Sequence, residues 1–312
     1  MNQSSVPIPV GVSDQARAAL SVPAFQLDYP AIDDAESWKA LIEATNKVIQ
    51  EQYLASAGSL PVTISHKEVA GVPIFEARAE GLADSADVPI CIDFHGGALI
   101  YCGGSIAAEM ISGTALINGM ITWGPDYRMP PEHPYPAALD DAIAVYRAAL
   151  DVRDPADIFV QGSSAGGNLA AALLVRAYEE GLPMPAGLVL ISPEIDLTES
   201  GDTFQTLKGV DKMASLMPVN ELYAAGRDLA DPLLSPLFAD VTHFPPTLLT
   251  AGGRDLFLSN AARMHRKLRA AGIEAELHVF EAMTHGGFGG ASPEDLSLND
   301  EVRRFYDRHR RL

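Results

Sequence analysis

Apolar positions change their spacing along this chain, and the change divides it. Trp38, Leu41, Ile42, Thr45, Val48, Ile49 and Tyr53 recur at helical intervals, with Asp33 and Asp34 placed to cap the start, so the spacing predicts an amphipathic helix needing an apolar partner. From Lys67 onward, short apolar runs predict strands at 72–79, 88–94, 119–123, 157–161, 187–192, 247–251 and 275–280. Helical stretches at 105–117, 136–150, 164–180, 259–271 and 293–310 fall between or after them. Strand and helix in alternation predict a mostly parallel sheet covered by helices on both faces, an α/β fold. Ligands on such sheets bind beyond the carboxyl ends of the strands. Between 197 and 237 the alternation gives way to a stretch rich in Asp, Met and Pro, which reads as an insertion folding with the N-terminal helices.

Composition narrows the function classes. The 312 residues are 47% hydrophobic, enough for a large buried core, and acidic residues outnumber basic ones 41 to 22, a net charge of −19. That field repels phosphate backbones and anionic lipid, so neither nucleic acid nor stable membrane association is expected. Met1 to Val10 lacks the cationic start and long apolar run of a secretory signal, and no run is long enough to span a bilayer. Cys91 and Cys102 make no disulfide framework, so a reduced, cytoplasmic setting is expected. The histidines and cysteines lack zinc-type spacing and the acidic residues lack a calcium-loop pattern, so the reading is a mechanism without metal or cofactor.

The chemistry gathers after strands. Gly162-Ser163-Ser164-Ala165-Gly166-Gly167 lies between the strand 157–161 and the helix 164–180, the pattern of a nucleophile elbow. A plain Gly/Ser loop explains that hexapeptide equally well, so the partners decide. A serine hydroxyl needs a base and the base needs an orienting group. Asp255 follows the strand 247–251 and His285 follows the strand 275–280, both on the edge that carries Ser164 and in the order Ser, Asp, His. Alone, Asp255 reads as a helix cap and His285 as a turn residue; together they read as a triad. The strand 88–94 runs into His95-Gly96-Gly97-Ala98, whose small residues let backbone N–H groups approach a substrate oxygen, and Ala165 at the helix start adds another donor. His95 reads as a residue that shapes this loop.

These parts resemble the bacterial hormone-sensitive-lipase-like serine carboxylesterases of the α/β-hydrolase superfamily, over roughly residues 88–288. The other matching segments are Asp126-Tyr127-Arg128-Met129-Pro130-Pro131-Glu132-His133-Pro134-Tyr135-Pro136-Ala137-Ala138 and Ser192-Pro193-Glu194-Ile195-Asp196-Leu197-Thr198. The resemblance implies an α/β-hydrolase fold with a helical cap: residues 1–60 a cap segment, 61–312 the catalytic domain, and 197–237 inserted as part of the cap. It implies a triad of Ser164, Asp255 and His285, and an oxyanion hole at Gly97, Ala98 and Ala165, with Gly96 making the turn. It gives supporting places behind the reacting groups to His95, Arg128 and Glu132, and makes His133 a decoy base. The substrate it implies is a small-molecule ester of short-to-medium acyl chain, and it leaves a homodimer through an edge strand or the terminal helix open. The same triad would serve an amidase or deacetylase, and the scaffold is also used by non-catalytic receptors, against which the intact triad argues.

Three departures from the family pattern set further expectations. Ala98 replaces the last glycine of the oxyanion motif, and its N–H is expected to survive as a donor only at negative φ. Ser163 stands where Asp or Thr precedes the nucleophile. Gly286-Gly287-Phe288 carries an extra glycine, which predicts a looser loop around the base.

Overall fold

The computed structural model describes residues 6–22, 28–56 (backbone only for 52–56), 60–83, 85 and 87–311, so the Tyr53 side chain and the first five residues lie outside it. Helices α1 (Asp14–Leu20) and α2 (Ala35–Ser56) precede a hairpin of β1 (Val62–Val69) and β2 (Val72–Ala79). Asp34 caps α2 by accepting the Ser37 N–H at 3.0 Å. Ala70 and Gly71 join the hairpin strands with φ of 51° and 80°, a two-residue turn that matches strand twist. There follow β3 (Ile90–Phe94), α3 (Ser105–Asn118), β4 (Ile121–Pro125), α4 (Ala137–Val152), β5 (Ile158–Ser163), α5 (Ala165–Glu179) and β6 (Gly187–Ile191). The short α6 (Thr203–Thr206) and α7 (Met217–Ala224) occupy the irregular stretch, before β7 (Thr247–Gly252), α8 (Leu258–Ala270), β8 (Ala275–Phe280) and α9 (Pro293–His309).

The strands form one sheet in the order β1-β2-β4-β3-β5-β6-β7-β8. β1, β2 and β4 pair antiparallel, and every neighbour from β4 through β3 to β8 runs parallel. Both faces are covered, which is why the central strands are continuously apolar. Ile158 and Val160 of β5 face a core shared with α4, α5 and α8, whereas Phe159 between them faces α9 through Phe305 and Tyr306. This arrangement, eight strands with helices on either side, is the mostly parallel α/β sheet that the alternation predicts. Among the described residues no helix is long and apolar enough to cross a membrane.

Sequence and structure differ at the margins. β1 carries His66, Lys67 and Glu68 and is half-exposed, so its apolar signal is too weak to predict a strand. Gly119 ends α3 at φ 62° instead of opening β4, which starts at Ile121. Val88 sits in the turn before β3.

Two smaller apolar clusters involve the N-terminal helices. Trp38 of α2 packs with Ile100, Tyr101 and Cys102 after β3, with Phe204, Leu216, Val219 and Leu222 of the 197–237 stretch, and with Leu256 and Phe257 after β7. α1 stays out of this cluster. Its Ala16 packs with Ala282, Met283 and Phe288, and Ser13 donates to Glu294 at the start of α9.

Candidate active site

The turn from β5 to α5 is tight enough to dictate its residue types. A Cβ on Gly162 would lie 2.1 Å from the Gly166 carbonyl oxygen, and one on Gly166 would lie 1.9 Å from that of Phe94. Ser164 between them adopts φ 56° and ψ −122°, a conformation rare outside glycine. Its strain is held by hydrogen bonds: Ser164 N–H donates to Ile191 O at 2.9 Å, and Ser164 O accepts from Gly167 and Glu194.

The structure brings Ser164, Asp255 and His285 together although 121 residues separate the first from the last. His285 Nε2 lies 2.9 Å from Ser164 Oγ, and its Nδ1 lies 3.2 Å from Asp255 Oδ1. Asp255 is fully buried and the His285 side chain is 15% exposed. Asp255 Oδ1 also accepts the Phe257 N–H at 2.8 Å, so this carboxylate shapes the entry to α8 while it faces the imidazole. Burial pulls the imidazole down, but the Asp255 charge and hydrogen bond, joined by Asp211 and Glu194, more than offset it and leave the His285 pKa raised. Burial pushes Asp255 up, and the His285 charge, that same hydrogen bond and the Phe257 N–H outweigh it, so its carboxyl is held low.

The glycine loop lies against the elbow, where a Cβ on Gly96 would be 3.1 Å from Ser163 O and 3.4 Å from Ser164 Cβ. Gly97 O accepts from Ile100 and Tyr101, closing a turn whose central residues Ala98 and Leu99 have φ of 53° and 61°. This corrects the condition placed on Ala98. Its φ is positive, at a cost of about 1 kcal/mol for an L-residue, yet its N–H has no acceptor among the described residues. The direction of that N–H is set by the Gly97–Ala98 peptide plane, so the φ of Ala98 itself does not consume the donor. The N–H groups of Gly96, Gly97 and Ala165 likewise have no acceptor among the described residues.

Around this centre, His95 stacks on Tyr127 at 4.2 Å, and the Tyr127 hydroxyl donates to His95 O at 2.8 Å. His95 Nδ1 lies 2.8 Å from Gly96 O, and burial lowers its pKa. Arg128 grips Asp141 of α4 at 2.7 Å, and Glu132 pairs with Lys39 of α2 at 2.8 Å on an exposed surface. Neither shares a hydrogen bond with Ser164, Asp255 or His285. Glu132 therefore fastens α2 to the segment before α4 and does not stand behind the reacting groups. His133 is exposed on the same segment.

The loop around His285 is not loose. Gly286 and Gly287 have φ of 80° and 77°, and Asp295 of α9 accepts the N–H groups of Phe288 and Gly290 at 3.0 and 2.9 Å. Sequence reasoning passed over Asp295, although Ser292 three residues before it marks a capping box at the helix start. It also passed over Asp211, whose carboxylate accepts from His285 N–H and Leu256 N–H and which no motif marks. Among the described residues, a grouping that could hold a metal ion is Glu274, Glu276 and His309, with ligand atoms within 4.8 Å. It lies at the amino end of β8, the opposite end from His285, and Arg308 already pairs with Glu276.

Comparisons with known proteins agree with this architecture. The family model described as alpha/beta hydrolase fold matches residues 91–288. An esterase of Acinetobacter venetianus is 32% identical over 230 residues, 71% of this chain and 74% of that protein. The crystal structure of an esterase E25 superposes with a TM-score of 0.88 at 30% identity, covering 100% of this chain and 98% of the other. A crystal structure of an esterase from the bacterial hormone-sensitive lipase family gives 0.77 at 29% identity, covering 95% of each chain.

Proposed function

Because the chain belongs to the bacterial hormone-sensitive-lipase-like branch of the α/β-hydrolase family and is a carboxylic ester hydrolase, we propose that it works as a serine esterase through an acyl-enzyme. His285 takes the Ser164 proton as Oγ attacks the ester carbonyl, and Asp255 holds the imidazole with Nε2 toward the serine and stabilises the imidazolium that forms. Negative charge on the substrate oxygen is taken up by the N–H groups of Gly97, Ala98 and Ala165, with Gly96 making the turn that brings them over the elbow. The imidazolium then protonates the departing alkoxide. Water, deprotonated by the same imidazole, hydrolyses the acyl-serine and returns the proton to Ser164.

One observation carries this reading: a single imidazole bridges a strained serine at 2.9 Å and a buried carboxylate at 3.2 Å. In the same reading α2 and the 197–237 stretch form a cap over the carboxyl edge, supported by their shared cluster around Trp38, while α1 belongs to the body. Esters of short-to-medium acyl chain remain the substrate class of this reading, as the family resemblance implies. Ser164→Ala is expected to keep the fold and lose p-nitrophenyl ester hydrolysis by on the order of 10⁴- to 10⁶-fold. Near-wild-type turnover in that variant would remove the mechanism.

A further inference from the structure

His285 and Asp255 stand on separate loops, and the hydrogen bond between them fixes only their side chains. Their backbones meet at a third residue. Asp211, 1% exposed within the 197–237 stretch, accepts the His285 N–H on Oδ1 at 3.1 Å and the Leu256 N–H on Oδ2 at 2.7 Å, with Met213 N–H at 3.4 Å closing its own turn. Leu256 is the residue after Asp255. One carboxylate thus spans the two loops, and it comes from the segment that covers the site.

We propose that Asp211 is a positioning residue: it ties the His285 loop to the Asp255 loop and so keeps the imidazole within reach of both partners. The inference rests on the triad reading above. Four groups face the imidazole: Ser164 from the elbow, Asp255 after β7, Glu194 after β6 and Asp211, with the Phe257 ring edge-on at 4.8 Å. Asp211 in turn faces His285, Asp255 and the adjacent Lys212. Burial raises the Asp211 carboxyl, with the Asp255 charge acting the same way, while the imidazole and the two N–H donors hold it down; the net is upward. Its charge is among those that raise His285. A residue that only packed the cap would have neither contact.

The test is Asp211→Asn, which exchanges one acceptor for a donor and removes the charge. Rates are expressed per serine labelled by a fluorophosphonate, so that unfolded protein does not count. The expected result is a kcat lower by roughly 10- to 100-fold, a KM within about threefold of wild type, and an acid limb of kcat/KM moved to lower pH. Asp211→Glu keeps the charge and is expected to return the acid limb toward the wild-type position. Asp196→Asn is the comparison: Asp196 is a buried carboxylate bound to Thr198, Ser200 and Arg263, and its loss should lower the melting temperature with the acid limb unmoved. An unchanged kcat per labelled serine with an unmoved limb in Asp211→Asn overturns the proposal, as does the same limb shift in Asp196→Asn. A wild-type protein whose serine takes no label would instead overturn the triad itself.

Discussion

The sheet body and the segments over its carboxyl edge solve different problems with different chemistry. In the body, strand ends deliver the three groups of the proposed triad: Ser164 follows β5, Asp255 follows β7 and His285 follows β8, each strand held by parallel pairing on both sides or one. Over the edge, α2 and residues 197–237 have little regular structure between them beyond α2 itself, yet they supply polar side chains aimed at loop backbones. Asn46 of α2 accepts the N–H of Cys102 at 2.9 Å, and Asp211 accepts those of Leu256 and His285. On the proposed mechanism the body carries the reacting atoms, and α2 and residues 197–237 bond to the backbones of the loops that hold them. That division makes a testable statement: changes in the body should alter the chemistry by orders of magnitude, and changes in the cover should alter it by less.

Asp255→Asn strikes the body hardest. The amide keeps the shape but lets the imidazole turn to the wrong tautomer, so kcat should fall about 10⁴-fold, measured on a p-nitrophenyl ester above the acid limb. The limb itself reports the same carboxylate. Because the folded His285 pKa lies above its ordinary value of 6.5, wild-type activity should fall as pH drops through a midpoint higher than 6.5, and Asp255→Asn should bring that midpoint down. The stability linkage has the opposite sense. A raised histidine pKa stabilises the fold where the imidazole is charged, below its unfolded value, and that contribution is lost as pH rises through the folded value. Asp255→Asn should therefore reduce the melting temperature more at pH 5, where the wild type is already losing activity, than at pH 9, where the wild type is active. An acid limb below 6.5 in the wild type would break this pairing.

This division also tracks what the sequence made legible. The parallel strands read correctly because burial on both faces turns them into continuous apolar runs. The elbow read correctly because steric limits at Gly162 and Gly166 leave only glycine. β1 did not, since an exposed edge strand with His66, Lys67 and Glu68 keeps no alternation. Asp211 and Asn46 left no local trace: each acts on a backbone N–H from a remote loop, and any acidic or amide residue in a polar stretch looks the same. The φ of Ala98 and the anchoring of Gly286-Gly287-Phe288 by Asp295 are likewise products of tertiary contact. Family resemblance supplied residue correspondences where periodicity had none.

Glu194 lies on the boundary between the two regions and sharpens it. It follows β6, donates its N–H to Ser164 O, and is 1% exposed with neither carboxylate oxygen hydrogen-bonded among the described residues. Burial foremost, then the Glu199 charge, pushes it from 4.5 up to about 8. A carboxyl with a raised folded pKa costs nothing below pH 4.5, where both states hold the proton, and its penalty grows until about pH 8. Glu194→Gln removes the need to hold that proton, so it should raise unfolding free energy by on the order of a few kcal/mol at pH 8 and make no difference at pH 4. Denaturant titrations at the two pH values measure this. Equal effects at both would mean that the side chain matters for its shape and not for its charge.

Asn46→Ala should produce the smallest change, and it probes the cover from the side opposite Asp211. The Asn46 side chain reaches from α2 to the loop that follows the oxyanion amides, where Cys102 adopts φ 71° and Tyr101 N–H is already committed to Gly97 O. Removing the amide leaves a buried N–H without its acceptor, a loss of about 1 kcal/mol, while Trp38, fully buried in the same cluster, still holds α2 in place. The proposed oxyanion amides of this loop, Gly97 and Ala98, lie five and four residues before Cys102 and belong to the Gly97 turn, so kcat should fall by less than about tenfold. A shift confined to KM would mean that α2 shapes only the substrate's access, whereas a loss of about a hundredfold in kcat would mean that the cover holds the oxyanion donors as directly as the body holds the triad. The second outcome would erase the distinction between the two regions; a modest loss in kcat keeps the cover as an aligning element whose strongest grip is at Asp211.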